Sequence, residues 1–217
     1  MLSAEKSSAS HFLARILRKG DLAMVMSFDL DVDLLADFTD DRARLDRAIN
    51  RAEINVGGGG IVSGPIPQRG ALGTNFYDAV YLAAHDKLAD EAGRKAIVIL
   101  TDAEDNGSKV KLQDAIETAQ RTDTVIYILL VSADGGDQMT AKRLTDETGG
   151  HTFVVRNDKD LNQAFDQLFE ELRNQYAIGY TPSNKARDGG FRKIKLEMKS
   201  KEYTGVTRRG YYAPRGN

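Results

Sequence analysis

Two uninterrupted apolar runs constrain this chain more than anything else in it: Ala96–Leu100 (AIVIL) and Val125–Val131 (VIYILLV). A strand covered on one face alternates apolar and polar residues, whereas a strand covered on both faces reads as continuous Val, Ile and Leu. The segments around the runs have helical spacing. Phe76, Ala79, Val80, Ala83, Ala84 and Leu88 trace one face, and Leu161, Ala164, Phe165, Leu168, Phe169 and Leu172 trace another. Leu112–Ala119 and Met139–Thr148 read as helices, the second closed by Gly149-Gly150. Strands alternating with helices predict an α/β fold, a doubly wound, mainly parallel, Rossmann-like sheet with helices on both faces.

The chain opens with a further helix, because Ala9, Phe12, Leu13, Ile16 and Leu17 recur at i, i+3, i+4, i+7 and i+8 before Gly20. Leu22–Phe28 reads as a buried strand. Val32–Phe38 reads as an edge strand with Val32, Leu34 and Ala36 on one face, and Asp40–Ala52 reads as a helix. Gly57–Gly60 starts a loop running to about Gly73 that is long for a compact domain. Thr152–Val155 is a short strand. After Tyr176 the texture changes, and Tyr176–Tyr180, Phe191–Met198 and Val206–Tyr212 read as short strands of a β appendage, with one face of the second buried on the main body. The expected division is 1–175 for the α/β domain and 176–217 for the extension.

Several function classes are excluded early. Thirty basic against thirty-two acidic residues give a formal charge of −2, so no whole-chain field draws in nucleic acid or anionic lipid. With no cysteine there is no disulfide, thiolate metal site or thiol nucleophile. No apolar run approaches the ~20 residues that span a bilayer, and the first residues lack the apolar stretch of a signal peptide. The compartment stays open, with export of a parent protein one reading of it. His11, His85 and His151 sit on separate elements without metal-ligand spacing and read as structural or solvated. Asp29-x-Asp31-x-Asp33 starts like a calcium loop, but Leu34 stands where the turn glycine is needed. Asp102 to Gly107 has that glycine but places Gln113 at the twelfth position, so Asp105 and Asn106 read as turn residues. Gly57–Gly60 lacks a following Gly-Lys-Ser/Thr, and the basic tail with its tyrosines reads as a solvated face rather than a nucleic-acid surface.

Two features remain as candidate chemistry. Thr101-Asp102 closes an apolar strand, and the carboxyl edge of such a sheet is where ligands bind. Asp102 is either a turn-forming carboxylate or part of a site. Gly73-Thr74-Asn75 puts a hydroxyl at the start of the helix near Phe76, where Thr74 or Asn75 equally suits an N-cap.

The order of an apolar strand, a Gly-rich loop, Gly73-Thr74-Asn75-Phe76-Tyr77-Asp78-Ala79 and Val98-Ile99-Leu100-Thr101-Asp102-Ala103-Glu104-Asp105 resembles von Willebrand factor A (VWA) domains. Arg18-Lys19-Gly20-Asp21, Phe38-Thr39-Asp40-Asp41-Arg42, Glu147-Thr148-Gly149-Gly150, Gln175-Tyr176-Ala177-Ile178-Gly179-Tyr180 and Arg208-Arg209-Gly210-Tyr211-Tyr212-Ala213 resemble a bacterial VWA-related family across nearly the whole chain. The resemblance implies a metal-ion-dependent adhesion site, with Thr74 and Asp102 as metal ligands for Mg²⁺ or Mn²⁺ and a protein or peptide partner supplying an acidic side chain. The third element, Asp-x-Ser-x-Ser after the first strand, occurs nowhere in the sequence, and Ser3, Ser7, Ser8 and Ser10 are no substitute.

By the family's strand order the missing strand belongs mid-sheet, between Leu22–Phe28 and Ala96–Leu100. Its absence predicts a slot on the order of 10 Å wide between two open edges. It also predicts weak or no metal binding by this chain, read here as part of a longer one. The expected function is a protein-binding module, not an enzyme, without nucleic-acid binding or membrane insertion. The competing readings are a Mg²⁺-dependent hydrolase or phosphotransferase centred on Asp102, and a metal-free assembly module that self-associates or accepts a donor strand through the vacant position.

Overall fold

In the apolar run 125–131, alternate side chains serve two cores, so this strand is the centre of the molecule. The computed structural model describes residues 2–52, 74–131 and 136–216; the loop expected at Gly57–Gly73 falls outside the described residues. The elements are α1 (Leu2–Ile16), β1 (Ala23–Phe28), β2 (Val32–Thr39), α2 (Arg42–Arg51), α3 (Phe76–Leu82, continuing into a π-helical turn Ala83–Lys87), β3 (Lys95–Thr101), α4 (Leu112–Arg121), β4 (Thr124–Val131), α5 (Gln138–Thr148), β5 (Thr152–Val155), α6 (Asp158–Arg173), β6 (Phe191–Lys193) and β7 (Gly210–Tyr212). β3, β4 and β5 form a parallel sheet in that order, with Lys95 opposite Thr124 and Ile128 opposite Thr152 at the starts of the two ladders.

Ile126, Ile128 and Leu130 of β4 pack with Phe76, Val80, Ala115, Ile116, Ala141 and Leu144, so α3, α4 and α5 cover one face. Tyr127 and Leu129 point the other way, onto Phe12 of α1 and Leu161, Phe165 and Leu168 of α6. This is the expected doubly wound arrangement.

β1 and β2 form a separate antiparallel hairpin, and among the described residues no ladder joins β1 to β3. The consequence shows in burial. Both β1 and β3 were expected to be covered on two faces, yet every residue of β1 is only half-buried and Ile99 alone is fully buried in β3. β4, paired on both sides, buries Ile126 through Leu130 completely. Away from the carboxyl ends of the strands, side chains hold the halves together. Phe12 of α1 belongs to the core over β3–β5 while its neighbour Leu13 also packs against the cluster of Ala36, Leu45 and Ala48 on the hairpin side. On the opposite face Phe28 stacks on Phe76 at 5.9 Å.

Two sequence expectations need correction. Val32, Leu34 and Ala36 do not share one buried face: Val25 pairs with Ala36 but Met26 pairs with Leu34, so Leu35 is an extra residue in β2. A bulge of this kind reverses the alternation; Ala36 stays buried and Leu34 turns outward. The C-terminal strands are also shorter than periodicity suggests. β6 and β7 pair antiparallel over three residues each, Ile194 adding one bond to the Arg209 carbonyl. Tyr176–Tyr180 forms no strand, and among the described residues no segment pairs with it. Of the face expected to be buried, Arg192 and Ile194 are half-covered while Leu196 and Met198 are exposed. The tail is anchored at its root, where Arg208 pairs with Asp123, Arg209 lies 3.1 Å from Asp146, and the Arg121 guanidinium sits 3.9 Å over the Tyr212 ring.

Candidate functional site

The carboxyl ends of β1 and β3 and the start of α3 are laced together by backbone hydrogen bonds. The Asn75 N–H donates to the Asp29 carbonyl at 2.8 Å, and the Asn75 side-chain amide donates to the Leu30 carbonyl. The Thr74 carbonyl accepts from the N–H groups of Asn106 and Gly107 at 3.2 and 3.3 Å. The Asp102 carbonyl accepts from the Asp137 N–H at 2.8 Å, bringing in the start of α5. Four segments therefore meet at one rim, and Thr74 and Asp102 both lie on it.

Each has a local role as well. Asp102 Oδ1 accepts the Glu104 N–H at 3.0 Å, the turn that Asp commonly forms, and Thr101 Oγ1 does the same for Ala103. Ala103 is completely buried with φ +62°, a left-handed backbone that is costly for a residue with a Cβ. Among the described residues neither the Thr74 hydroxyl nor Asp102 Oδ2 has a hydrogen-bond partner. Asp29 Oδ2, buried at the end of β1, has none either.

The expected cap of α3 is not where the sequence put it. Asn75 occupies the N-cap position but its side chain makes no cap hydrogen bond. The exposed N–H groups of the first turn are met from across the rim: Tyr77 N–H donates to Asp105 Oδ1 at 3.1 Å and Asp78 N–H to Ser108 Oγ at 3.0 Å. Asp78 returns the favour by accepting the N–H groups of Lys109 and Val110 at 3.0 and 2.8 Å. Asp105, read from the sequence as a turn residue, is therefore a cap in trans. Gly136 was also missed. A Cβ there would lie 2.3 Å from the Asp102 carbonyl oxygen, so only glycine allows this approach.

The histidines stand apart. His85 pairs with Asp86 and stacks on Tyr81, and His151 faces Glu171 and stacks on Phe153. An open hollow of about 550 Å³ between α1 and α2, lined by Ser10, His11, Arg42 and Asp46 among others, shares no residue with the rim.

Comparison with solved structures decides the fold. A von Willebrand factor type A structure from Catenulispora acidiphila superposes with a TM-score of 0.61 at 15% identity, over 77% of this chain and 37% of that one. The chain has a von Willebrand factor A-like fold. The BatB protein of Bacteroides thetaiotaomicron matches this VWA-like chain with a TM-score of 0.56 at 16% identity over 78% of it and 89% of its own length. Proximal thread matrix protein 1 of the mussel byssus gives 0.59 at 10% identity, over 77% and 41%. This chain thus spans well under half the length of the Catenulispora and mussel structures. No family model and no curated protein matches it.

A divalent cation is what the VWA resemblance implies at this rim, and the described residues do not suffice for one. Mg²⁺ demands about six oxygens in octahedral geometry. Thr74 and Asp102 would supply two, Asp105 and Asp78 are spent on amides, and among the described residues no three His, Cys, Asp or Glu side chains converge.

Proposed function

We propose that this chain is a protein-binding module of the VWA type rather than an enzyme, with 1–175 presenting the binding face and 176–217 as an extension. The binding face is the carboxyl rim, and the observation that carries the reading is the lacing of β1, α3, β3 and α5 through Asn75, Thr74 and Asp102. A rim fixed by main-chain bonds is preorganised, so a partner meets it without ordering loops first. Thr74 and Asp102 are the residues proposed to give oxygens to a Mg²⁺- or Mn²⁺-type cation in a complete domain, with a partner's acidic side chain as a further ligand. The buried, unpartnered Asp29 Oδ2 adds an anionic oxygen at the same edge. In this chain alone, cation binding is weak or absent.

Mn²⁺-induced broadening of amide resonances tests the assignment. Broadening centred on Thr74 and Asp102, at millimolar or weaker affinity and lost in Asp102→Ala, is expected; broadening elsewhere on the molecule rejects the pair. Turnover of a generic phosphate ester that disappears in Asp102→Ala would replace the binding module with the hydrolase.

A second reading has its own observation. Among the described residues β1 and β3 each leave one edge without a ladder, although α1 on one face and the Phe28–Phe76 contact on the other tie the two halves together. Extended backbone is the complement of such edges, so a donor strand from a partner would complete the sheet. Protection of β1 and β3 amides from exchange on adding a peptide that copies Thr124–Val131 supports it; unchanged exchange refutes it.

A further inference from the structure

The small overall charge conceals a separation along the chain. Residues 1–175 carry twenty basic and twenty-nine acidic side chains, a formal −9, while residues 176–217 carry ten basic and three acidic, a formal +7. Both signs are concentrated on hairpins that also expose apolar side chains. The β1–β2 hairpin presents Asp31 and Asp33, exposed and without ion pairs among the described residues, beside Leu30 and Leu34, 50% and 41% exposed. The segment 194–209 folds back on itself beyond β6 and β7, with Leu196 and Met198 lying across Gly205. It presents Lys199 and Lys201, exposed and unpaired among the described residues, beside Leu196, Met198 and Val206, which are 42%, 47% and 63% exposed.

Within one molecule these hairpins do not meet. The tail is seated on the α4–α5 side through Arg208, Arg209 and Tyr212, whereas the β1–β2 hairpin packs on α1 and α2. Apolar surface flanked by charge of one sign fits apolar surface flanked by the other, because burying the first requires the second to be paired. We infer that the basic 194–209 hairpin of one copy docks on the acidic β1–β2 hairpin of a second copy of this chain. The two surfaces differ, so the contact is heterologous: each copy keeps a free head and a free tail, and association continues to rings or open chains rather than stopping at a dimer. The inference is independent of the metal rim.

Light scattering and sedimentation velocity across a concentration series test it. The native chain is expected to grow past dimer, with association weakened at least tenfold between low salt and about 0.5 M salt. Asp31→Lys with Asp33→Lys, and separately Lys199→Glu with Lys201→Glu, should each remain monomeric. All four positions are exposed, and circular dichroism and Tm confirm that both variants fold. In an equimolar mixture the basic head and tail of one variant both face acidic counterparts on the other, so growth should resume with the two kinds of copy alternating. Combining all four substitutions in one chain should restore growth. A native chain that stays monomeric throughout overturns the inference, as does assembly that persists in either charge-reversed variant.

Discussion

Asp105→Ala is the sharpest probe of how the rim is built. The substitution removes the acceptor of the Tyr77 N–H, a half-buried group at the first turn of α3, and releases Ser108, which itself accepts the Asp78 N–H. Loss of a helix cap costs about 1 kcal/mol. An orphaned, partly buried donor adds about the same again, for a total of about 2 kcal/mol. At this chain length each kcal/mol moves Tm by roughly 2–4 °C, so a fall of roughly 4–8 °C is expected. Urea denaturation followed by circular dichroism gives the free energy, provided the transition is two-state. Thr74→Ala is the control. Its hydroxyl has no hydrogen-bond partner among the described residues, so it should fall within about 0.5 kcal/mol of the native chain. Asp105→Asn keeps an acceptor oxygen and should recover most of the loss. If Thr74→Ala proves the more damaging of the two alanine variants, the cap is local, and the account of a cross-rim cap is wrong.

Other outcomes follow from packing and charge. Gly150→Ala would place a Cβ 1.9 Å from the Ile126 carbonyl oxygen, a backbone atom that cannot yield, and should cost about 3 kcal/mol or prevent folding, read by denaturation or soluble yield. Leu129→Ala empties a fully buried site in β4 and should cost about 2–5 kcal/mol in the same assay. Asp137 caps α5 through the Thr140 N–H at 2.9 Å, and the Thr140 hydroxyl and N–H together hold its carboxyl below the usual value of 3.8. A carboxyl with a depressed pKa stabilises the fold above the unfolded pKa, and that stability is lost as pH falls through the folded pKa. Denaturation below about pH 4 should therefore show a smaller gap between the native chain and Asp137→Ala than at pH 7, where the gap is about 1 kcal/mol.

The parts of this fold that could be read from residues alone are those where one face does one job. VIYILLV announced a strand covered on both sides, and Phe76, Ala79, Val80, Ala83, Ala84 and Leu88 are buried as their spacing implied. What stayed hidden depended on distant partners. Asp105 caps a helix that starts 29 residues earlier, and nothing in its own neighbourhood distinguishes it from a turn aspartate. The extra residue Leu35 is likewise invisible to a period-2 pattern, which has no means of counting the residues on the opposing strand. Ile97 and Val98 read as core, and their partial exposure comes from an open edge rather than from their own chemistry. Of the rim, order along the chain singles out Thr74 and Asp102 as the proposed ligands, whereas Gly136, a close backbone approach to Asp102, carries no side-chain signature at all.

The division between the β1–β2 hairpin and the β3–β5 sheet also bears on how the molecule comes apart. Main-chain ladders lock residues into register, but side-chain contacts such as Phe12, Leu13 and Phe28 against Phe76 tolerate sliding. Opening should therefore occur in two cooperative stages, the hairpin with α2 detaching first and the β3–β5 layer last, and amide exchange would sort the chain into a labile block of β1, β2 and α2 and a persistent block that holds α1 with the elements from α3 to α6.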